Sequence, residues 1–213
     1  MKKLVWNAGD GALCRQAERA AGWLAFDPWR LTWSPMTAPP AGGQEVSPGD
    51  ALRLLAAGPR LRRVPVAVIG PREATARQLD TAELLGREMA RHGLQLLSGG
   101  KSGVMEAVSR GNLAAGGLPV GLIPDDEWHE ANDFVAIPLA SGIGPARNAI
   151  IARAGLALVA VGGGVGTISE MALGIQFGRL VLALDDAPEV PQVIRLSSVA
   201  EALDAIAGRI LGV

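Results

Sequence analysis

The chain has 213 residues, 49% of them hydrophobic and 19% charged, with a formal net charge of -1. This is enough for one α/β domain with a substantial core plus an appendage, and the near-neutral balance gives no electrostatic footprint for a nucleic-acid polymer. Runs of roughly 18 apolar residues that would span a membrane are absent, a lone cysteine (Cys14) rules out an internal disulfide or a cysteine metal cluster, and two histidines (His92, His129) argue against a histidine-based metal site.

Met1-Lys2-Lys3 is basic, but Asn7, Gly9 and Asp10 interrupt before any long apolar stretch, so no signal peptide is expected and the cytoplasm is the expected compartment. Residues 1–62 hold four of the five tryptophans (Trp6, Trp23, Trp29, Trp33) and six of the fourteen prolines. Ala12–Ala21 is expected to form a short helix, and Trp29–Trp33 alternates like a strand. Thr37–Gly43 reads as a loop, with Pro39-Pro40 and Gly42-Gly43 as its breakers. Ser47 and Pro48 mark a helix start, as N-cap and first helical residue. The segment is expected to pack as an arm on the core or on a partner subunit.

Residues 63–213 alternate regularly. Expected strands are Val64–Ile69, Leu94–Leu97, Pro119–Ile123, Phe134–Leu139, Leu156–Val161 and Leu180–Leu184. Helical patterns cover Ala76–His92, Gly103–Ala115, Pro145–Ala154 and Thr167–Phe177, with a last helix near Val199–Ile206. Alternation of this kind implies right-handed crossovers and a mostly parallel sheet with helices on both faces, a Rossmann-like doubly wound domain that binds ligands at the carboxyl ends of its strands. Three strand ends suit that rule: Gly70-Pro71-Arg72, Ser98-Gly99-Gly100-Lys101-Ser102-Gly103, and the turn after Val161.

That last turn is the most informative stretch. Leu156–Val161 reads as a strand buried on both faces. Gly162, Gly163, Gly164 and Gly166 follow, then Thr167 and the helical pattern Ile168, Met171, Ala172, Ile175. Strand, glycine turn and helix start place free backbone N–H groups and the positive end of a helix dipole at one point, where a phosphate binds. Thr167 and Glu170 also fit a capping box without any ligand, with Thr167 as N-cap. A capping box does not account for four glycines. Arg147 and Glu170 lie 23 positions apart, each after a strand that ends at the same sheet edge, so parallel topology places both in one cleft floored by Gly163–Thr167.

Other motifs fail. Gly100-Lys101-Ser102 has the ending of a Walker A loop, but Gln95 stands where its first glycine is needed. The dinucleotide fingerprint is missing from the first strand turn. Pyridoxal phosphate needs a Schiff-base lysine, and the chain has only Lys2, Lys3 and Lys101. No cofactor and no metal are expected.

The residues assembled so far resemble the LONELY GUY family and its lysine-decarboxylase-like relatives. Ser98-Gly99-Gly100 with Gly103 and Met105 is similar to that family's glycine loop and helix start. Gly121-Leu122-Ile123-Pro124 resembles its strand ending in proline. Arg147-Asn148 and Gly163-Gly164-Val165-Gly166-Thr167-Ile168-Ser169-Glu170 resemble its arginine and its P-G-G-x-G-T-x-x-E signature. The likeness covers residues 64–185. Gly162 stands in place of the signature proline and Asn148 in place of a common lysine. The triple glycine looks more like the branch near molybdenum-cofactor carrier proteins.

The resemblance implies cleavage of the N-glycosidic bond of a nucleoside 5′-monophosphate, with Arg147 and Glu170 as catalytic candidates. The binding candidates are Gly70, Ser98, Gly99, Gly100, Met105, Gly163, Gly164, Val165, Gly166 and Thr167. The other reading is a carrier or sensor of a phosphorylated nucleotide-like ligand such as molybdenum cofactor. Either way the expected partner is a small phosphorylated ligand, with no nucleic-acid polymer and no membrane, and a homo-oligomer, most simply a dimer, is expected.

Overall fold

A computed structural model describes residues 3–17 and 22–213. The chain divides into two compact units, residues 1–63 with 203–213, and residues 64–202. No helix among the described residues is long and apolar enough to cross a membrane.

The first unit contains a five-stranded sheet of β1 (Leu4–Asn7), β2 (Ala12–Gln16), β3 (Trp23–Asp27), β4 (Thr32–Pro35) and β5 (Gln44–Val46), in the order β4-β3-β2-β1-β5. Each pairing is antiparallel. Ala12–Gln16 is therefore a strand and not the start of a helix; residues 18–21 of that expected helix lie outside the described residues. The reason is local turn chemistry followed by pairing. The Asn7 side chain accepts from the Gly9 N–H at 3.0 Å and donates to Asp10 at 2.8 Å, folding β2 back on β1. Ladder bonds to β1 and β3 then override helix propensity.

The Trp29–Trp33 expectation is also corrected: the strand begins at Thr32, and residues 28–31 are its hairpin turn. The Asp27 carboxylate accepts the N–H groups of Trp29 and Arg30, both at 2.9 Å, which holds that turn closed. The helix α1 (Pro48–Ala56) starts as its sequence predicts, with Ser47 Oγ accepting from the Asp50 N–H at 3.0 Å and Pro48 in the first turn. Leu4, Leu13, Phe26, Ala51, Leu55 and Leu211 form the core of this unit.

The second unit runs β6 (Pro65–Ile69), α2 (Ala76–Arg91), β7 (Gln95–Ser98), α3 (Val104–Ala114), β8 (Val120–Ile123), β9 (Ile137–Ala140), α4 (Arg147–Ala154), β10 (Ala157–Val161), α5 (Val165–Gln176), β11 (Leu180–Leu184), β12 (Ile194–Arg195) and α6 (Val199–Leu211), which belongs to the first unit from Leu203 onward. Its seven strands pair in parallel in the order β12-β11-β10-β6-β7-β8-β9. This is the doubly wound α/β sheet that the alternating pattern implies. Phe134 falls outside β9, because Asn132 Oδ1 accepts the Phe134 N–H at 3.1 Å in a side-chain turn. All five residues of β10 are buried, as its continuous apolar run requires of a central parallel strand. Leu158, Ala160, Ile69, Ala67, Met171 and Val181 pack in one cluster around it.

Strand order decides where a ligand can sit. The chain steps outward from β6 to β9 on one side, then restarts at β10 on the other side of β6. The crevice beyond the carboxyl ends of β6 and β10 is thus the switch point, where neighbouring loops diverge and leave room.

Candidate functional site

A cleft of about 380 Å³ opens at that switch point. It is lined from β6 by Ile69, Gly70, Pro71 and Arg72, and from the glycine turn and α5 by Gly164, Gly166, Thr167 and Glu170. Gly99, Met105, Pro124, Pro145, Arg147 and Asn148 complete it.

The glycine turn builds its floor. Gly162 and Gly163 take φ values of 58° and 142°, open to glycine and strained for other residues. A Cβ on Gly163 would also lie 2.5 Å from Thr167 Cβ. The turn delivers Gly164 to an extended conformation as N-cap of α5, and Ile168 is the first residue to donate back, to the Gly164 carbonyl at 2.9 Å. The N–H groups of Val165, Gly166 and Thr167 precede that bond and have no helical acceptor. The capping-box reading does not hold. Thr167 is inside the first turn and no side chain caps the helix. Glu170 does not reach back to it, because Glu170 is engaged elsewhere.

Its partner is Arg147, at the start of α4. Arg147 Nη1 donates to Glu170 Oε1 at 3.3 Å, and both side chains are 9% exposed. Nη1 also donates to Asn148 Oδ1. The parallel topology thus brings the two side chains to one cleft. Gly99 makes room for the guanidinium: a Cβ there would come within 2.3 Å of Arg147 Nη2. Arg147 Nε is buried with no hydrogen-bond partner among the described residues. Burial raises the Glu170 carboxyl to about 7, with the Arg147 charge pulling the other way. Burial also lowers the Arg147 pKa against the opposing pull of Glu170. At neutral pH the cleft therefore holds a carboxyl poised between its two forms beside a cation that stays charged.

Of the residues singled out in the sequence, Gly70, Gly99, Met105, Arg147, Gly164, Gly166, Thr167 and Glu170 line the cleft together. Ser98, Gly100, Gly163 and Val165 are outside that lining. Ser98 is fully buried and its Oγ accepts the Gly100 N–H at 3.2 Å, shaping the loop beneath Gly99. Val165 is 85% exposed. Pro71, Arg72, Pro124, Pro145 and Asn148 also line it; the sequence pattern has Pro71 and Arg72 at a strand end suited to a ligand, and Pro124 and Asn148 in the family likeness, without marking any of them as a site residue. The available signal was position: each follows a strand end of the parallel sheet or adjoins Arg147.

A family model described as the SLOG cluster4 family matches residues 63–206. The chain belongs to the SLOG cluster4 family. The likeness to LONELY GUY and lysine-decarboxylase-like proteins, on the side of the molybdenum-cofactor carriers, is borne out by its relatives. The molybdenum cofactor binding protein of Rippkaea orientalis is 33% identical, with a TM-score of 0.66 over 70% of this chain and 98% of that one. The molybdenum cofactor carrier protein of Chlamydomonas reinhardtii is 34% identical, with a TM-score of 0.63 over 71% of this chain and all of that one. A cytokinin riboside 5′-monophosphate phosphoribohydrolase of Rhodococcoides fascians is 37% identical over 100 residues, 42% of this chain and 47% of the relative.

Proposed function

We propose that this SLOG-family cleft binds a small phosphorylated, nucleotide-like ligand and hydrolyses the N-glycosidic bond of a nucleoside 5′-monophosphate. The observation that carries the reading is the buried Arg147–Glu170 pair beside the unpaired amides that open α5. The phosphate sits on the amides of Val165, Gly166 and Thr167, at the positive end of the helix dipole. Arg147, with a buried Nε still to be paired, grips phosphate or ribose oxygen. As the bond from base to ribose stretches, positive charge gathers on the sugar. The Glu170 carboxylate stabilises that charge and orients the attacking water. Water supplies hydroxyl to the ribose carbon and a proton to the departing base, giving free base and ribose 5-phosphate. The test is incubation with a panel of nucleoside 5′-monophosphates followed by chromatography; no free base from any of them refutes turnover.

A second reading has its own support. The two molybdenum-cofactor proteins are matched along nearly their whole length, the phosphoribohydrolase along 47% of its own. Gly162 and Asn148 also depart from the hydrolytic signature. Under this reading the same amides and Arg147 hold the phosphate of a carried ligand and nothing turns over. Molybdenum content and the absorption spectrum of protein from its native host test it.

We further propose a cytoplasmic homodimer in which residues 1–62 pack as an arm on the core or on the partner subunit. Exposed apolar side chains of the second unit at Trp128, Ile137, Leu139, Ile143 and Ile150 support an association surface. Light scattering that returns 22.0 kDa at micromolar concentration refutes the dimer.

A further inference from the structure

The charged groups of the cleft do not contribute equally. Arg147 is paired with Glu170 at 3.3 Å, so its charge is already answered whenever Glu170 is ionised. Lys101, at the neighbouring strand end, is tied to Asp125 at 2.9 Å and to the Glu130 carbonyl at 2.7 Å. Arg72 is different. It lines the same cleft and its residue is exposed. It forms no ion pair among the described residues. Asp125 feels its field, but Asp125 is already bonded to Lys101. Arg147 feels the field as a repulsion.

The backbone fixes where this side chain starts. β6 and β10 are adjacent, with Ile69 opposite Ala160, so the segment after Ile69 runs beside the glycine turn. The Val104 N–H donates to the Pro71 carbonyl at 3.1 Å, anchoring the segment to the start of α3. A Cβ on Gly103 would lie 2.3 Å from the Arg72 carbonyl oxygen, so the α3 backbone is pressed against the segment. Arg72 is thus held at the mouth of the cleft on firm backbone while its guanidinium has no protein carboxylate to neutralise it. A phosphate monoester seated on the α5 amides brings about two negative charges near neutral pH, and a guanidinium fork is well suited to its oxygens.

We propose that Arg72 is the phosphate-recognising cation of this cleft and sets its preference for phosphorylated over unphosphorylated nucleosides. The proposal rests on the reading that the cleft binds a phosphorylated ligand. It gives Arg72 the work of discrimination and leaves the Arg147–Glu170 pair for the sugar.

Calorimetric titration of the full chain with AMP, ribose 5-phosphate and adenosine tests it. Arg72→Ala is expected to weaken AMP and ribose 5-phosphate by about tenfold or more at low salt, the scale of a lost charge-assisted contact, and to leave adenosine unchanged. It also flattens the salt dependence of AMP binding. Arg72→Lys recovers part of the loss, since it keeps the charge without the fork. Arg77→Ala is the control for bulk charge: Arg77 is exposed, pairs with Asp185 at 2.9 Å, and is outside the lining, so AMP affinity is unchanged. A folded Arg72→Ala protein with the wild-type ratio of AMP to adenosine affinity overturns the proposal alone. Wild-type protein that binds neither AMP nor ribose 5-phosphate overturns it together with the phosphorylated-ligand reading.

Discussion

The two sheets are opposite solutions to burying a strand. In the parallel sheet β10 is buried at every residue, and β6 and β11 at all but the first. In the antiparallel sheet the inner strands β1 and β2 have two buried residues each and β3 has one, while the edge strands of both sheets have none. Crossover helices cover a parallel strand on both faces, whereas hairpin strands can keep one face wet. The difference reaches function. Parallel strands all end at one edge, so their following loops converge, and the switch between β6 and β10 opens the cleft there. An antiparallel sheet sends successive turns to alternate ends and gathers no such set.

If the comparison holds, chemistry and stability should be concentrated around β10. Glu170→Ala should have the largest effect. Turnover of a nucleoside monophosphate falls by roughly 10²–10⁴-fold, the span attributed to a positioned acid–base group, while ligand affinity persists on the backbone amides. A variant that turns over at the wild-type rate removes Glu170 from the mechanism. Leu158→Ala, at a fully buried position of β10, should cost about 2–5 kcal/mol in denaturant unfolding. A loss under about 1 kcal/mol would show that β10 is not the stable centre.

The Glu170 carboxyl rises to about 7 in the fold from an ordinary 4.5. A raised carboxyl favours the folded state in its protonated form. Its stabilising contribution is full below about 4.5 and is lost as pH rises through about 7. Wild type should therefore lose stability relative to Glu170→Gln between those values, by at most about 3 kcal/mol. Activity has the opposite slope, because the carboxylate is the working form: kcat/KM should rise through a limb near 7. A flat difference between the two proteins in thermal melts, or no such limb, would contradict the burial argument.

Arg147→Ala should weaken AMP binding by roughly 1.5–3 kcal/mol, one charge-assisted bond. Unchanged affinity ends its binding role. The smallest effect is expected in the β3–β4 turn of the other unit. Trp29 is 56% exposed, with Arg62 over its ring at 4.7 Å. Trp29→Ala should cost only about 0.5–1 kcal/mol and leave AMP affinity alone. A larger loss, or a change in affinity, would break the contrast between the sheets.

What was legible in the sequence follows the same division. Leu156–Val161 and Leu180–Leu184 could be read because burial on both faces makes a continuous apolar run. Arg147 and Glu170 could be joined because each follows a strand ending at the same edge. Ala12–Gln16 could not, since its state depends on the Asn7 turn and on partner strands rather than on its own propensity. The sequence pattern opens α5 at Thr167, whereas the helix begins two residues earlier at Val165. Valine and glycine are weak helix formers, and the glycine turn, not a side-chain cap, begins that helix. A capping box does form in front of α2, between Thr75 and Gln78. Arg72 could be placed at a strand end suited to a ligand, but its role could not be read, because only the folded cleft distinguishes an unpaired arginine from a solvated one.

The start of α5 also has a kinetic signature. Backbone amides in β10, bonded to neighbours on both sides and buried at every residue, should exchange with deuterium only when the whole unit opens. A few residues on, the amides of Val165, Gly166 and Thr167 have no helical carbonyl to protect them. They should label rapidly in the empty protein and slow sharply once a phosphate occupies them. The most protected and the most responsive amides of this unit are thus separated by a single glycine turn. One peptide covering that turn reports global unfolding at one end and occupancy at the other.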